Sequence, residues 1–289
     1  MSLSTKGTFF MINLNGKLTE NPVFSPYNRA LLYGDAVFET IRCLNGKIIF
    51  WEDHYFRLMA SMRILRMEIP MEFTMENLET EIKNTLDAEG LSNEAASVRL
   101  TVFRDEGGRY LPQKNTVSFY IFGQQLQDPF YLLNEEPYEV ELYKDHYLNA
   151  DMLSTLKTAN KLIHVTGSIF ASENGYDNCL LLNTKKSVAE ALQGNLFLVK
   201  DNHIKTPPLE EGCLRGIIRK QVIDIIEKVE GIEIKEEAIS PFELQKADEL
   251  FITNTLMGIR PITKYRKKTY GNKISKNLLG KLNAKARLG

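Results

Sequence analysis

The chain has 289 residues, of which 43% are hydrophobic and 25% are charged, and this composition is typical of a globular protein. Lys and Arg number 36 against 37 Asp and Glu, so the formal net charge is -1. A balanced charge gives no electrostatic reason to expect nucleic acid or an anionic membrane as a partner. The length is sufficient for one large or two medium domains.

Cysteine and histidine are few and scattered along the chain. Cys43, Cys179 and Cys213 form an odd set without metal-ligand spacing, and the four histidines are equally dispersed. We therefore expect a reduced protein without a metal site. No apolar stretch approaches the length of a membrane span, and residue 1 is not followed by a signal-like apolar run. These features predict a cytoplasmic protein.

Hydrophobic periodicity and turn residues predict a first region in which strands alternate with two amphipathic helices. In chain order it has a strand at 8–14, a strand that ends at residue 42 and a strand at 47–50. Helices at 52–66 and 74–90 follow, and then strands at 97–103 and 116–122. A glycine-containing polar loop connects the last two strands. Thr74 and Gly90 are typical start and stop residues for the second helix.

The following residues are irregular and contain prolines, and a second mixed region begins beyond them. It has strands at 139–143, 178–183, 187–190, 195–199, 203–205, 232–238 and 248–253, and helices at 159–174, 216–228, 241–246 and 274–284. The pattern predicts an α+β protein with a small α/β domain at 1–122, a linker at 123–130 and a larger α/β domain at 131–289.

Lys157 is the first candidate for chemistry, because it lies among small and apolar residues that would allow partial burial. Burial lowers the pKa of a lysine amine and makes it nucleophilic towards carbonyl groups. A lysine in such a stretch is, taken alone, more often an exposed side chain. The hypothesis is that Lys157 forms a Schiff base with pyridoxal 5'-phosphate.

Three further positions suit the same cofactor. Glu190 lies within strand residues, and a buried carboxylate needs a partner such as a protonated pyridine nitrogen, although a salt bridge or an exposed strand face would also explain it. Gly216 opens a helix, where backbone amides bind phosphate, although it could also simply make a turn. Arg57 could bind phosphate in a bidentate manner or be an ordinary exposed arginine. The motifs of serine hydrolases, P-loop proteins, dinucleotide-binding proteins and zinc proteases are absent.

Seven segments, in this order, resemble the fold-type IV (class IV) pyridoxal-phosphate enzymes, which include branched-chain and D-amino-acid aminotransferases and aminodeoxychorismate lyase. They are YGDAVFETIR (33–42), HYFRL (54–58), LKTAN (156–160), VAEALQGNLF (188–197), TPP (206–208), GIIR (216–219) and DELF (248–251). The resemblance covers residues 9 to 263 and implies the two-domain fold of the D-amino-acid aminotransferase-like enzymes. The larger domain would bind the cofactor.

The resemblance also implies the site residues. Lys157 would be catalytic and carry the cofactor, Glu190 would bind the ring nitrogen, and Leu214 would pack on the ring. The phosphate would be held by Arg57, Thr255 and the amides that follow Gly216, those of Ile217 and Ile218. The substrate side would be lined by Tyr33, Phe38, Arg99 and Arg109. Among the arginines that could bind a substrate carboxylate, Arg104 is a further candidate.

The implied function is amino transfer between an amino acid, with the branched-chain type favoured, and a 2-oxo acid in a homodimer. Aminodeoxychorismate lyase is the alternative, because Ile218 replaces a threonine common in the transaminases and the segments 104–110 and 255–261 are similar to the lyases. Glu39 and the segment ending at Arg42 are closer to the branched-chain enzymes. A non-catalytic dimer that retains the fold is a third hypothesis.

Overall fold

The computed structural model describes residues 11–288, and these divide into two compact units. Unit 1 extends to Pro129 and also includes Thr158–Asn160, whereas unit 2 comprises Phe130–Lys157 and the chain from Lys161 onwards. Both units mix helices with sheets, so the predicted α+β class is confirmed. In the described part of the chain, no helix has the length and apolar character needed to cross a membrane.

Unit 1 is built on one antiparallel sheet of six strands in the order β2-β1-β6-β5-β3-β4. The elements are β1 (Ile12–Leu14), β2 (Lys17–Thr19), α1 (Arg29–Tyr33), β3 (Ala36–Leu44), β4 (Lys47–Ile48), α2 (Trp51–Ile64), α3 (Met75–Ala88), β5 (Ala95–Arg104) and β6 (Val117–Gln125). The apolar faces of α2 and α3 supply Met62 and Ile82 to the core, where they join sheet residues such as Leu100. Thr74 caps α3 by accepting the Asn77 amide at 3.1 Å.

Unit 2 contains two five-stranded sheets, in the orders β12-β11-β10-β13-β14 and β16-β15-β7-β8-β9. Its strands are β7 (Glu139–Leu148), β8 (Asn178–Asn183), β9 (Val188–Ala191), β10 (Asn195–Lys200), β11 (His203–Thr206), β12 (Glu233–Glu236), β13 (Glu249–Asn254), β14 (Gly258–Ile262), β15 (Lys264–Tyr265) and β16 (Lys268–Thr269). Its helices are α4 (Leu162–Glu173), α5 (Ile217–Ile226), α6 (Pro241–Leu244) and α7 (Lys273–Leu288), with 3-10 turns at Leu153–Thr155 and Leu209–Glu211. Leu180, Leu196 and Leu250 are fully buried members of one shared core.

The structure changes several predicted boundaries. The predicted linker at 123–130 begins inside β6, because residues up to Gln125 pair with β5. The helix predicted at 159–174 begins only at Leu162, because Thr158 forms a bridge with Val37 of β3 and the Ala159 amide donates to the carbonyl of Ala36. The hairpin partner β2 and the strands β14 to β16 were not predicted. Residues 8–10 of the first predicted strand lie outside the described residues.

The C-terminal helix α7 holds the start of unit 2 through a reciprocal pair of hydrogen bonds. Asn283 Oδ1 accepts the Tyr131 amide at 3.0 Å, and Asn283 Nδ2 donates to the Tyr131 carbonyl at 2.8 Å. The Tyr131 ring packs beneath Gly258, where φ is +70° and an added Cβ would lie 2.6 Å from the ring. Only glycine suits this backbone geometry and this close approach.

A buried cluster of ionisable side chains joins β3 to α2 in unit 1. Arg57 Nε donates to Glu39 Oε1 at 2.8 Å, and His54 Nδ1 lies 2.7 Å from Glu39 Oε2. Burial by itself would raise the pKa of Glu39, but Arg57 and His54 outweigh it and lower the pKa of Glu39 to about 2. The ionised carboxylate is therefore part of the folded core.

Asn283→Ala should destabilise the protein by about 2 kcal/mol, because it removes two hydrogen bonds worth about 1 kcal/mol each. Asn277→Ala is the matched control, since Asn277 is an exposed asparagine of the same helix and the change in helix propensity is the same. Urea unfolding of both variants measures the difference. Equal stabilities would show that the Tyr131 contact contributes nothing.

Glu39→Gln should lose its destabilising effect as the pH falls. The folded-state pKa of Glu39, about 2, lies below the ordinary value of 4.5. Ionised Glu39 therefore stabilises the fold at neutral pH, and this contribution disappears between about pH 4.5 and about pH 2. The unfolding free energies of the variant and the unaltered protein should converge as the pH falls from about 4.5 to about 2. A constant difference over that range would contradict the assigned ionisation.

Candidate functional site

Glu190 lies on the short strand β9, in which all four residues are buried. Its Oε2 accepts the backbone amide of Leu214 at 2.8 Å, and its Oε1 lies 3.1 Å from Nε2 of His164. A buried carboxylate is stable only when such donors replace water. Both oxygens are thus held by groups from outside the strand, and the carboxylate has a defined orientation.

The loop before α5 packs so closely that it depends on Gly216. Asn195 Nδ2 donates to the carbonyl of Leu214 at 2.8 Å, and a Cβ on Gly216 would lie only 2.0 Å from Asn195 Oδ1. Any other residue at 216 would displace the loop or Asn195. The sequence left open whether Gly216 merely makes a turn. The structure adds a steric reason for glycine, because a side chain at this position would collide with Asn195.

Lys157 is connected to this loop through the backbone. The amide of Arg215 donates to the carbonyl of Thr155 at 3.2 Å, two residues before Lys157. Thr155 and Leu156 are buried, and Lys157 is half-buried at the end of this part of unit 2. Two hydrogen bonds on consecutive residues, 214 and 215, therefore connect the Glu190 carboxylate through the backbone to the segment that carries Lys157.

The beginning of α5 has the features of an anion site. Gly216 occupies the N-cap and provides no side-chain acceptor, so the helix amides that follow it are not capped by that residue. On β13, Thr253 lies opposite Asn195, and its buried Oγ1 has no hydrogen-bond partner among the described residues. Amides at a helix N-terminus, together with a nearby hydroxyl, match the needs of a phosphate group.

The residues of unit 2 therefore fit pyridoxal phosphate. A lysine, an oriented carboxylate and a helix N-terminus are the donor and acceptor types that its aldehyde, its ring nitrogen and its phosphate require. Seven of the predicted cofactor residues belong to this unit: Lys157, Glu190, Leu214, Gly216, Ile217, Ile218 and Thr255. The carbonyl of Thr255 accepts the hydroxyl of Tyr131 at 3.2 Å. Residues 11–288 contain no group of three or more His, Cys, Asp or Glu arranged for a metal ion.

The other predicted residues belong to unit 1. Arg57 lies in the buried cluster with Glu39. Of the four predicted substrate residues, Phe38 and Arg99 contact each other, with the guanidinium 3.4 Å from the ring centroid, and burial lowers the pKa of Arg99. The Tyr33 ring lies 5.7 Å from that of Tyr110.

The remaining arginine candidates of unit 1 differ in exposure. Arg109 has an exposed side chain, and its carbonyl accepts from Arg29. Arg104 is buried, and its guanidinium binds Asp35, Asn115 and two backbone carbonyls.

Sequence reasoning missed His164 and Asn195. The histidine was treated only as one of four scattered histidines, and Asn195 is a polar residue in an otherwise apolar strand. A buried polar residue in an apolar strand is a usable signal, because it must find a partner. The contact of His164 with Glu190 joins a helix to a strand, and nothing local indicates it.

Comparison with known proteins identifies the family of this chain. The family described as amino-transferase class IV matches residues 36–265. A Methanocaldococcus jannaschii relative with the provisional name branched-chain-amino-acid aminotransferase is 34% identical over 277 residues, or 95% of this chain and 94% of the relative. The aminodeoxychorismate lyase of Bacillus subtilis is 29% identical over 281 residues, or 91% of this chain and 89% of its own.

Solved structures are similar over nearly the whole chain. The branched-chain aminotransferase of the thermophilic archaeon Thermoproteus uzoniensis, determined with norvaline, has a TM-score of 0.85 and 26% identity, covering 94% of this chain and 93% of its own. A branched-chain amino acid aminotransferase determined with pyridoxamine 5'-phosphate has the same TM-score and identity. The family match extends over most of the chain, and the fold and the donor set in unit 2 agree with it. The chain belongs to the class IV aminotransferase family and is a pyridoxal-phosphate-dependent transaminase.

Proposed function

We propose that this transaminase moves an amino group between a branched-chain amino acid and a 2-oxo acid, with Lys157 and Glu190 as its central residues. The observation that carries the proposal is the hydrogen-bonded path in unit 2. Leu214 donates to Glu190, and Arg215 donates to the carbonyl of Thr155 near Lys157. This path fixes a carboxylate relative to the segment of a half-buried lysine, as pyridoxal-phosphate chemistry requires.

The proposed roles follow from the chemistry of each group. When bound, pyridoxal phosphate supplies an aldehyde carbon that takes up an amino group and a ring that accepts the electron pair released at Cα. Lys157 Nζ removes the Cα proton and returns it as a general base and acid. The Glu190 carboxylate holds the proton of the ring nitrogen. The amides of Ile217 and Ile218 bind the phosphate.

Other assignments rest on the family resemblance. Leu214 packs on the ring, Gly216 allows the close approach, and Thr255 binds the phosphate. In unit 1, Arg57 is a further phosphate ligand. The proposed substrate residues combine apolar rings with cations and are Tyr33, Phe38, Arg99 and Arg109. The contact between the Arg99 guanidinium and the Phe38 ring supports such a surface. An arginine can bind a carboxylate group bidentately.

The branched-chain preference is supported by the relatives and by Glu39. Both the Methanocaldococcus jannaschii relative and the Thermoproteus uzoniensis structure carry branched-chain names. Glu39, which the sequence associated with that branch, is buried against Arg57. The second candidate is aminodeoxychorismate lyase, and the Bacillus subtilis relative favours it.

We also propose a homodimer located in the cytoplasm. On α4, Leu162 is 79% exposed and Val165 and Ile169 are each about half exposed, and contiguous exposed apolar side chains are typical of interfaces. All three cysteines are unpaired, as expected in a reducing compartment.

Lys157→Ala should lower turnover by about 1,000-fold or more, because no other amine replaces the general base. Lys144→Ala, at an exposed position of β7, is the matched control and should keep full activity. Borohydride treatment of the unaltered holoenzyme, followed by peptide mass mapping, should place the pyridoxyl group on Lys157. Recovery of the pyridoxyl group on a different lysine, or normal turnover of Lys157→Ala, would end the assignment.

Amino transfer from L-leucine, L-isoleucine and L-valine to 2-oxoglutarate should exceed transfer from D-alanine by at least about tenfold in kcat/KM, because burial of each extra methylene contributes about 0.8 kcal/mol. The same preparation should release no pyruvate from aminodeoxychorismate. Pyruvate formation faster than amino transfer would replace the transaminase proposal with the lyase. Fast transfer from D-alanine would contradict the branched-chain preference.

A further inference from the structure

His164 lies in the first turn of α4, seven residues after Lys157, and contacts Glu190 from a different side than the loop before α5. Its Nε2 is 3.1 Å from Oε1 of Glu190, and the two side chains are 17% and 6% exposed. The contact is thus largely shielded from water. A hydrogen bond in such a place is stronger and better defined than one on the surface.

The hydrogen-bonding roles in this contact follow from the partners of Glu190. The backbone amide of Leu214 can only donate, so Oε2 of Glu190 is an acceptor. In the role proposed for Glu190 both carboxylate oxygens are acceptors, and His164 is therefore assigned the tautomer in which Nε2 donates. Glu190 then has one donor on each oxygen. One donor belongs to a loop and the other to a helix, so the plane of the carboxylate is fixed from two directions.

The close packing of α4 allows His164 to reach β9. Gly167 is buried one turn further along the same helix face, and a Cβ on it would lie 2.5 Å from Leu192 Cδ2 and 3.3 Å from the Tyr143 ring. A larger residue would push the helix away from the sheet or displace both side chains. The absence of a side chain at 167 therefore sets the distance over which His164 contacts Glu190.

We propose that His164 is a positioning residue for the transaminase reaction. Its Nε2–H holds Oε1 of Glu190, so that the carboxylate keeps the orientation in which it would accept a hydrogen bond from the protonated ring nitrogen of pyridoxal phosphate. The proposal rests on the function proposed above for Glu190. Donors around a primary ligand group commonly fix its orientation in this way, and their loss weakens the group without removing it.

The test compares His164→Leu with His164→Gln in the full-length protein. Leucine fills the space but cannot donate, whereas the glutamine amide can. His164→Leu should raise the dissociation constant for pyridoxal phosphate and lower kcat by about tenfold each, because a hydrogen bond to a charged group is lost. The KM for the amino acid should change by less than about twofold. His164→Gln should restore most of the cofactor affinity and of kcat.

A matched control is available on the surface of unit 2. His203 Nε2 lies 3.3 Å from Glu233, and both side chains are more than 60% exposed. His203→Leu therefore removes the same kind of contact without touching the site. It should leave cofactor affinity, kcat and the visible absorption band of the holoenzyme unchanged, whereas His164→Leu should shift that band. The thermal midpoint of each variant without cofactor separates loss of folding from loss of positioning.

Gly167→Ala provides a second variant that leaves both side chains of the contact in place. It should weaken cofactor binding in the same direction as His164→Leu, because it moves α4 away from β9. In the double variant the two effects should not add, since they act on one contact. Full additivity would show that Gly167 acts independently of His164.

The outcomes distinguish this inference from the proposed function. If Glu190→Gln keeps normal cofactor affinity and turnover, the role proposed for Glu190 is wrong. If Glu190→Gln is impaired while His164→Leu behaves like the unaltered protein, only the inference about His164 is wrong. If His164→Leu and His164→Gln are equally impaired and both lower the thermal midpoint without cofactor, the contact only supports the fold, and the inference is again overturned.

Discussion

The buried carboxylate of Glu190 is the feature that organises the candidate site. A carboxylate inside a protein must have donors, and here they come from the Leu214 amide and from His164. These partners belong to the loop before α5 and to α4, so satisfying one side chain of β9 fixes the relative positions of three elements. The same loop also donates a hydrogen bond to the carbonyl of Thr155, and this contact connects the segment of Lys157 to the loop.

Two glycines make this arrangement sterically possible. Gly216 lets the loop approach Asn195, and Gly167 lets α4 approach the sheet. In both cases the nearest atom would lie 2.5 Å or less from an added Cβ, so the requirement is for close approach and not for an unusual backbone angle. The polar contacts of Glu190 therefore depend on positions that carry no side chain.

Unit 1 stabilises its own buried carboxylate in a different way. Glu39 is paired with the guanidinium of Arg57 and with His54, and these charges lower its pKa although burial opposes them. Glu190 instead relies on one neutral amide and one imidazole. A carboxylate with such partners can still pair with a cation of a ligand, whereas one already paired with arginine is largely neutralised within the protein. This difference supports a structural role for Glu39 and the ligand-binding role proposed for Glu190.

The order and type of most elements could be predicted from the sequence, because periodicity, capping residues such as Thr74 and glycine stops act within a few residues. The ordered motifs likewise indicated the family and the candidate residues from Lys157 to Thr255. Which groups meet in space became clear only from the packed fold. The non-helical course of Thr158 and Ala159 depends on their contacts with β3, and the partners of Glu190 are 24 and 26 residues away in the chain. Local patterns carry no information about such contacts, since they arise when separate elements pack together.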